Sequence, residues 1–253
     1  QGQVDVLARA VKVNAKVQAQ QLKVVAGANR VSRGGASDGQ ATPIAGAGAA
    51  PTVAVDVSAL GGMYANRIQL VATEAGAGVN MAGETRSATD LTLDVNGNLN
   101  LDGTAQGETA VTARANSAHV RGSVQSAGDV TLTARDATTT HAGSKLKGNN
   151  VTVTTTAGDL THQGDAQASA DLVLSASNTL THKGKTASSG KTQLNGKHIK
   201  VEGGNSTAQS HVSVGGSGAS GSGLAATHAD SITLTDATLQ SQGGDISLKA
   251  SGN

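Results

Sequence analysis

Asn150-Val-Thr-Val-Thr-Thr-Thr-Ala-Gly-Asp-Leu-Thr-His-Gln-Gly164 is answered 21 residues later by Asp171-Leu-Val-Leu-Ser-Ala-Ser-Asn-Thr-Leu-Thr-His-Lys-Gly184. Each copy opens on Asn or Asp, alternates apolar and small polar side chains, and closes on Gly. The same opening recurs outward in both directions, as Asp90-Leu-Thr-Leu, Asp129-Val-Thr-Leu and Ser231-Ile-Thr-Leu. Taking the second apolar residue of each unit as a ruler gives Leu93, Val111, Leu132, Val153, Leu174, Leu194, Val214 and Leu234, in steps of 18 to 21 residues. A glycine column at Gly103, Gly122, Gly143, Gly164, Gly184, Gly203, Gly223 and Gly243 keeps the same time. Two markers sharing one period are the sign of a repeat architecture. Val, Thr and Leu at i and i+2 between Gly, Asn, Asp and Ser describe short strands and turns. One such unit cannot bury its apolar face alone, whereas units stacked in register can. The expected fold is therefore all-β, a parallel β-helix of about 20-residue coils stacked ~4.8 Å apart.

Composition agrees. Among 253 residues there are 34 Gly and a single aromatic, Tyr64, with no Phe, Trp or Cys. A core without large aromatics is built from small, mostly branched side chains in thin layers. No apolar stretch approaches the ~18 residues that span a bilayer. Absence of Cys excludes disulfides, thiolate zinc sites and cysteine nucleophiles. A formal charge of +1, from 19 basic and 18 acidic residues, provides no field for nucleic acid.

Toward the N-terminus Val11, Val13, Ala15, Val17 and Ala19 alternate, as do Leu22 and Val24, which favours strands over the rival helix. From Ser32 to Thr52 the pattern lapses into Gly, Ala, Ser and both prolines, Pro43 and Pro51, and reads as a loop excursion from the stack. A second excursion is expected from Gly203 to Ala226, around the weak strand His211-Val-Ser-Val.

Residues 22–83 resemble the secretion-associated N-terminal region of filamentous haemagglutinin-like exoproteins, the two-partner-secreted family that includes contact-dependent growth inhibition proteins. The resemblance is carried by Leu22-Lys-Val-Val-Ala-Gly-Ala-Asn-Arg30, Ala41-Thr-Pro-Ile-Ala-Gly46 and Leu60-Gly-Gly-Met-Tyr-Ala-Asn-Arg-Ile-Gln-Leu-Val-Ala-Thr-Glu-Ala-Gly-Ala-Gly-Val79, in matching order. Residues 90–253 resemble the haemagglutinin repeats found next in that family. The resemblance implies a right-handed β-helix on a Gram-negative cell surface, threaded through an outer-membrane partner transporter and folded outside. A cysteine-free chain suits that route. The family's Asn-Pro motifs, tied to transporter recognition, do not occur here, nor does a signal peptide. The expectation is an internal piece of a longer protein, with residues 1–89 closing the secretion domain and 90–253 opening a repeat shaft. A piece without its native cap is expected to associate end to end.

Thr140-His141-Ala-Gly143, Thr161-His162-Gln-Gly164 and Thr181-His182-Lys-Gly184 would stack His141, His162 and His182 on one face ~5 Å apart. Neutral imidazoles could hold a metal. No carboxylate recurs beside them as a supporting partner, so a solvent-facing turn ladder is the expected role, with mutual repulsion lowering the three pKa values. Leu60, Gly61, Gly62, Met63 and Tyr64 form an apolar structural motif in which Tyr64 is expected to pack in the core. Asp90, Asp129, Asn150, Asp171 and Asp245 precede strands and read as a turn ladder bonding backbone amides, since they lack the calcium nonapeptide pattern. Asn96-Gly97 and Asn195-Gly196 read as tight turns. Gly35-Ala-Ser37-Asp-Gly39 matches a nucleophile elbow in letters but lacks the strand-to-helix setting. Gly216-Ser-Gly-Ala-Ser-Gly221 matches a dinucleotide fingerprint in the same empty way. Asn150-Val-Thr152 and Asn205-Ser-Thr207 have the form of glycosylation sequons.

No catalytic residue, cofactor or metal is expected. The leading expectation is a surface filament for adhesion or cell–cell contact, meeting a host or bacterial receptor. The alternative is the stalk of a growth-inhibition protein whose toxin lies far beyond. A carbohydrate-active β-helix enzyme is disfavoured, because the acidic residues are dispersed rather than paired.

Overall fold

In a computed structural model that describes residues 2–32, 40–215 and 229–251, every regular element is a strand. The helix considered for the first segment is absent among the described residues. Val11–Val13 and Lys16–Gln18 are instead two short strands separated by a corner at Asn14 and Ala15.

Each coil contributes one strand to each of three faces. The coil built from Val151–Thr155, Asp159–His162 and Asp165–Ala168 is succeeded by Leu172–Ala176, Thr179–His182 and Lys185–Ser188. The faces pair in parallel, Val153 with Leu174, Leu160 with Leu180 and Ala166 with Thr186. The third face is a ten-stranded parallel sheet, so we number the coils by its strands, from Lys16–Gln18 in coil 1 to Thr238–Ser241 in coil 10. The first two faces are joined where Ala110–Val120 and Asp129–Thr140 run round the corner between them. Alternation decides which side chains enter: Leu91, Leu93 and Val95 are buried, while Asp94 between them is exposed. Burying a Leu or Val this way contributes roughly 1.5–3 kcal/mol each. Because the column is closed by its own coils, one continuous apolar core runs from Val13 to Ala229.

Glycines matter where coils touch at one corner. A Cβ on Gly122 would sit 1.9 Å from the Gly103 carbonyl oxygen, and one on Gly184 2.1 Å from that of Gly164. This column runs Gly61, Gly83, Gly103, Gly122, Ser144, Gly164, Gly184, Gly204, so Gly143 and Gly203 are displaced from it by one residue. Both displaced glycines have positive φ, 87° and 70°, the turn conformation that glycine adopts without strain.

The apolar ruler needs two similar corrections. Leu93 pairs with Ala113 rather than Val111, which pairs with Leu91. Val214 pairs with Leu248, and Leu234 lies on the second face beside Val201. The second excursion is shorter than expected, because Asn205–Ala208 and Val212–Val214 are strands of the stack. The chain leaves after Val214 and re-enters at Ser231; residues 216–228, with the Gly216–Gly221 motif, lie outside the described residues. The first excursion leaves at Gly27 and returns at Val53, and it carries a short antiparallel pair, Asn29–Val31 with Ala41–Pro43. The Gly35–Gly39 motif falls outside the described residues.

Candidate functional site

The expected triple histidine ladder is split. His162 and His182 are register partners on the second face, but the residue beneath His162 is Thr140, not His141. Thr140-His141 is out of phase by one residue, and a one-residue shift turns a side chain to the other side of its strand. His141 therefore stacks with His119 of the coil below, with ring centroids 5.2 Å apart and His119 Nδ1 2.9 Å from His141 Nε2. Burial and the nearby Arg121 hold both below the ordinary histidine range.

His162 and His182 face inward and are fully buried, which corrects the expectation of a solvent-facing ladder. Their rings lie 5.3 Å apart at 31°. His162 Nε2 is 2.8 Å from the Lys185 carbonyl oxygen, so that nitrogen carries the proton, and Nδ1 accepts from the Thr140 hydroxyl at 2.6 Å. His182 Nε2 meets Ser206 Oγ at 3.0 Å, and Thr186 donates to the same oxygen at 2.7 Å. Among the described residues His182 Nδ1 has no hydrogen-bond partner. Burial lowers the pKa of His162; burial and then the charge of His162 push His182 down to about 4. Gly204 packs on the His182 ring, where a Cβ would come within 2.9 Å of Cδ2. Among the described residues no three His, Cys, Asp or Glu side chains are placed to hold a metal ion.

The Leu60–Tyr64 motif is not uniformly internal. Met63 is buried, whereas Leu60 is 88% exposed at a corner. Gly61 and Gly62 are needed for close approach: a Cβ on Gly61 would strike the Val13 carbonyl oxygen, and one on Gly62 the Tyr64 ring. Tyr64 lies outside the core, because Met63 takes the inward position and alternation turns its neighbour out. Its hydroxyl donates to Glu84 Oε2 at 2.7 Å, and Lys16 Nζ stands 5.0 Å from the ring centroid. That hydrogen bond holds the phenol above its ordinary pKa and, with Arg86, holds Glu84 below its own.

Two polar arrangements lie outside the core. In the first, Asp129, Asn150 and Asp171 form a backbone-bonding ladder: Asp129 Oδ1 accepts from the Asn150 amide at 3.0 Å, Asn150 Oδ1 from Asp171 at 3.1 Å, and Asp171 Oδ1 from Lys191 at 2.9 Å. Asp90 is engaged by Arg67 instead, and Asp245 contributes its amide, to His211. Asn96 begins a bend, but Asn195 is a buried strand residue donating to Ser175 Oγ at 3.0 Å. The second arrangement gave no periodic signal. Arg9 Nη2 meets Glu74 Oε1 at 2.8 Å, and the guanidinium also donates to the carbonyls of Ala47 and Ala49. The clamp joins coils 1 and 3 across the returning arm of the first excursion.

Residues 1–106 match the TPS secretion domain family, through the excursion, the clamp and the first four coils. This stretch has the sequence of a TPS secretion domain. The chain is 57% identical over 102 residues, 40% of its length, to a tRNA nuclease CdiA-2 of Burkholderia pseudomallei. It is 47% identical over 111 residues, 44% of its length, to a 16S rRNA endonuclease CdiA of Enterobacter cloacae. It is 42% identical over 127 residues, half of its length, to a tRNA nuclease CdiA of Escherichia coli strain NC101. The aligned region is only 3–4% of each relative's length. No solved structure matches the chain significantly. A TPS secretion domain implies partnership with an outer-membrane transporter, and relatives of this kind imply secretion and surface display by a Gram-negative bacterium.

Proposed function

We propose that this segment is the secretion-proximal part of a non-catalytic surface filament that brings its parent protein into contact with other cells. The observation that carries this reading is continuity: one core runs unbroken from the TPS match into coils 5–10. A solenoid of this kind converts chain length into reach at ~4.8 Å per coil. We place the change from secretion domain to shaft near residue 90, inside the stack; the family match continues to residue 106. Receptor contact and end-to-end association of the isolated segment belong to the same proposal. Names of the relatives favour a more specific version, a stalk holding a distant toxin, because several are called nucleases or toxins.

These 253 residues have no Cys and Asn178 is exposed at a corner, so labelling of an Asn178→Cys variant above that of the unsubstituted protein reports the location of this segment. In cells expressing the full reading frame with its transporter, a membrane-impermeant maleimide is expected to label this position without lysis. Deleting the transporter is expected to abolish labelling. Labelling only after permeabilisation, with the transporter present, overturns surface display. Effects on neighbouring cells that persist across a separating filter overturn the contact reading.

A further inference from the structure

Coils 7–9 contain a stack of two imidazoles where the rest of the core column has aliphatic, thioether or hydroxyl side chains. Neither ring touches solvent, and the inner walls opposite them are Val153, Leu172, Leu174 and Leu194. The hydrogen bonds of His162 define a neutral tautomer, and His182 Nδ1 has no hydrogen-bond partner among the described residues, the backbone of Asn205 and His162 favouring a charged ring less than burial and the charge of His162 oppose it. The titratable surroundings give a cation little compensation. From coil 6 His162 faces the Thr140 hydroxyl; from the third face it meets the Lys185 backbone; Asp165 is the carboxylate whose charge favours its protonation. His182 faces His162 below and Ser206 and Thr186 beside it, while Val201 lies above. Lys145, Lys183, Lys185 and Asp165 line the outer surface of the same corner, and Glu202 is paired there with Lys183 at 3.6 Å. Asp159, His198 and Lys200 occupy outward positions on the second face.

We propose that coils 7–9 are an acid-sensitive section of the solenoid, which opens locally when the His162–His182 stack acquires charge while coils 3–5 stay closed. Either charged ring would lie ~5 Å from the other in a low-dielectric column, an unfavourable arrangement relieved by letting water in. The sign is fixed by the direction of the shifts. Both rings bind protons less readily when folded than the ~6.5 of a free imidazole, so stability is complete above pH 6.5 and falls as the pH drops below it. For His182, with its pKa at about 4, linkage gives on the order of a 50- to 100-fold more favourable local opening at pH 4.5 than at pH 7.5.

The test uses the 253-residue chain with site-resolved hydrogen exchange between pH 7.5 and 4.5, corrected for the intrinsic pH dependence of exchange. Faster opening is expected across residues 159–208 and not across 67–107. His162→Gln with His182→Gln is expected to remove most of that acid response, and His119→Gln with His141→Gln to leave it in place. Should the buried double variant fail to fold, NMR titration of the wild-type imidazoles decides. His162 and His182 titrating near 6.5 in the folded chain, uniform opening along all coils, or an undiminished acid response in a folded His162/His182 variant each overturn the proposal.

Discussion

Coils 3–5 and coils 6–9 are built to one plan and filled differently. In coils 3–5 the column is Ile68, Leu70, Leu91, Leu93, Leu99, Leu101 and their Val and Ala neighbours, interrupted by Thr85 and Ser87. Between Thr138 and Ser206, 13 polar side chains are buried, among them Thr138, Thr155, Ser175, Asn195 and the two histidines. One register column shows the change directly. Asp94, Arg114, Thr133, Thr154, Ser175 and Asn195 are successive partners; the first two are exposed and the last three are buried. The difference teaches what closes each half. Aliphatic layers are held by area alone and accept any partner of suitable volume. The polar layers depend on named pairs, such as Thr155 Oγ1 donating to Thr138 Oγ1 at 2.8 Å across the interior, and a buried group that misses its partner costs more than the bond contributes.

The comparison breaks most visibly on truncation. Leu93→Ala in the aliphatic half is expected to cost about 2–5 kcal/mol through lost burial and a residual cavity, whereas Thr155→Ala should cost nearer 1 kcal/mol. Chemical denaturation of both variants checks the ranking, and equal losses would mean that the two halves are held alike. Thr85 sharpens the contrast from the other side, because its buried hydroxyl has no partner among the described residues. Thr85→Val keeps the branched shape and removes the orphan, so a gain of roughly 1 kcal/mol is expected, read as a higher thermal midpoint. The smallest effect belongs to the outer histidine pair. His119→Gln, at a part-exposed site, is expected to change stability by about 0.5 kcal/mol or less, measured in the same denaturation series. A larger loss there would show that stacking outside the column matters as much as burial within it.

The architecture was legible because strand alternation and corner glycines repeat, and both are consequences of backbone geometry that every coil shares. Phase was harder to read. From Gly122 to Ser144 the corner column advances 22 residues, from Gly103 to Gly122 only 19, and the Ala115/Ser117 step pairs with Ala134/Ala137 across a bulge. An extra residue at a corner leaves the period near 20 but reverses which side chains point inward beyond it. That is why Thr140-His141 resembles Thr161-His162 in letters and not in space; Val111 passed for Ala113 for a simpler reason, since both point inward from one strand two residues apart. Burial of polar residues was illegible for another reason. Thr, Ser, Asn and His at alternating positions look like an outward face, and only the fold reveals that His162 and His182 look inward and that Asn195 is buried. Tyr64 misled in the reverse direction, since an aromatic in an apolar motif suggests a core that Met63 already occupies. The Arg9–Glu74 clamp joins residues 65 apart and left no periodic trace.

Both excursions leave the stack at the same corner, between the first and second faces, after Ala26 and after Val214. Their exits are eight coils apart, roughly 38 Å along the axis at ~4.8 Å per coil. Because the chain re-enters one strand further round the same coil, the length spliced in at that edge alters neither the rise nor the phase of the coils stacked beyond it. The solenoid thus has a permissive seam along one edge, where new sequence can be displayed at fixed heights on an otherwise unbroken rod.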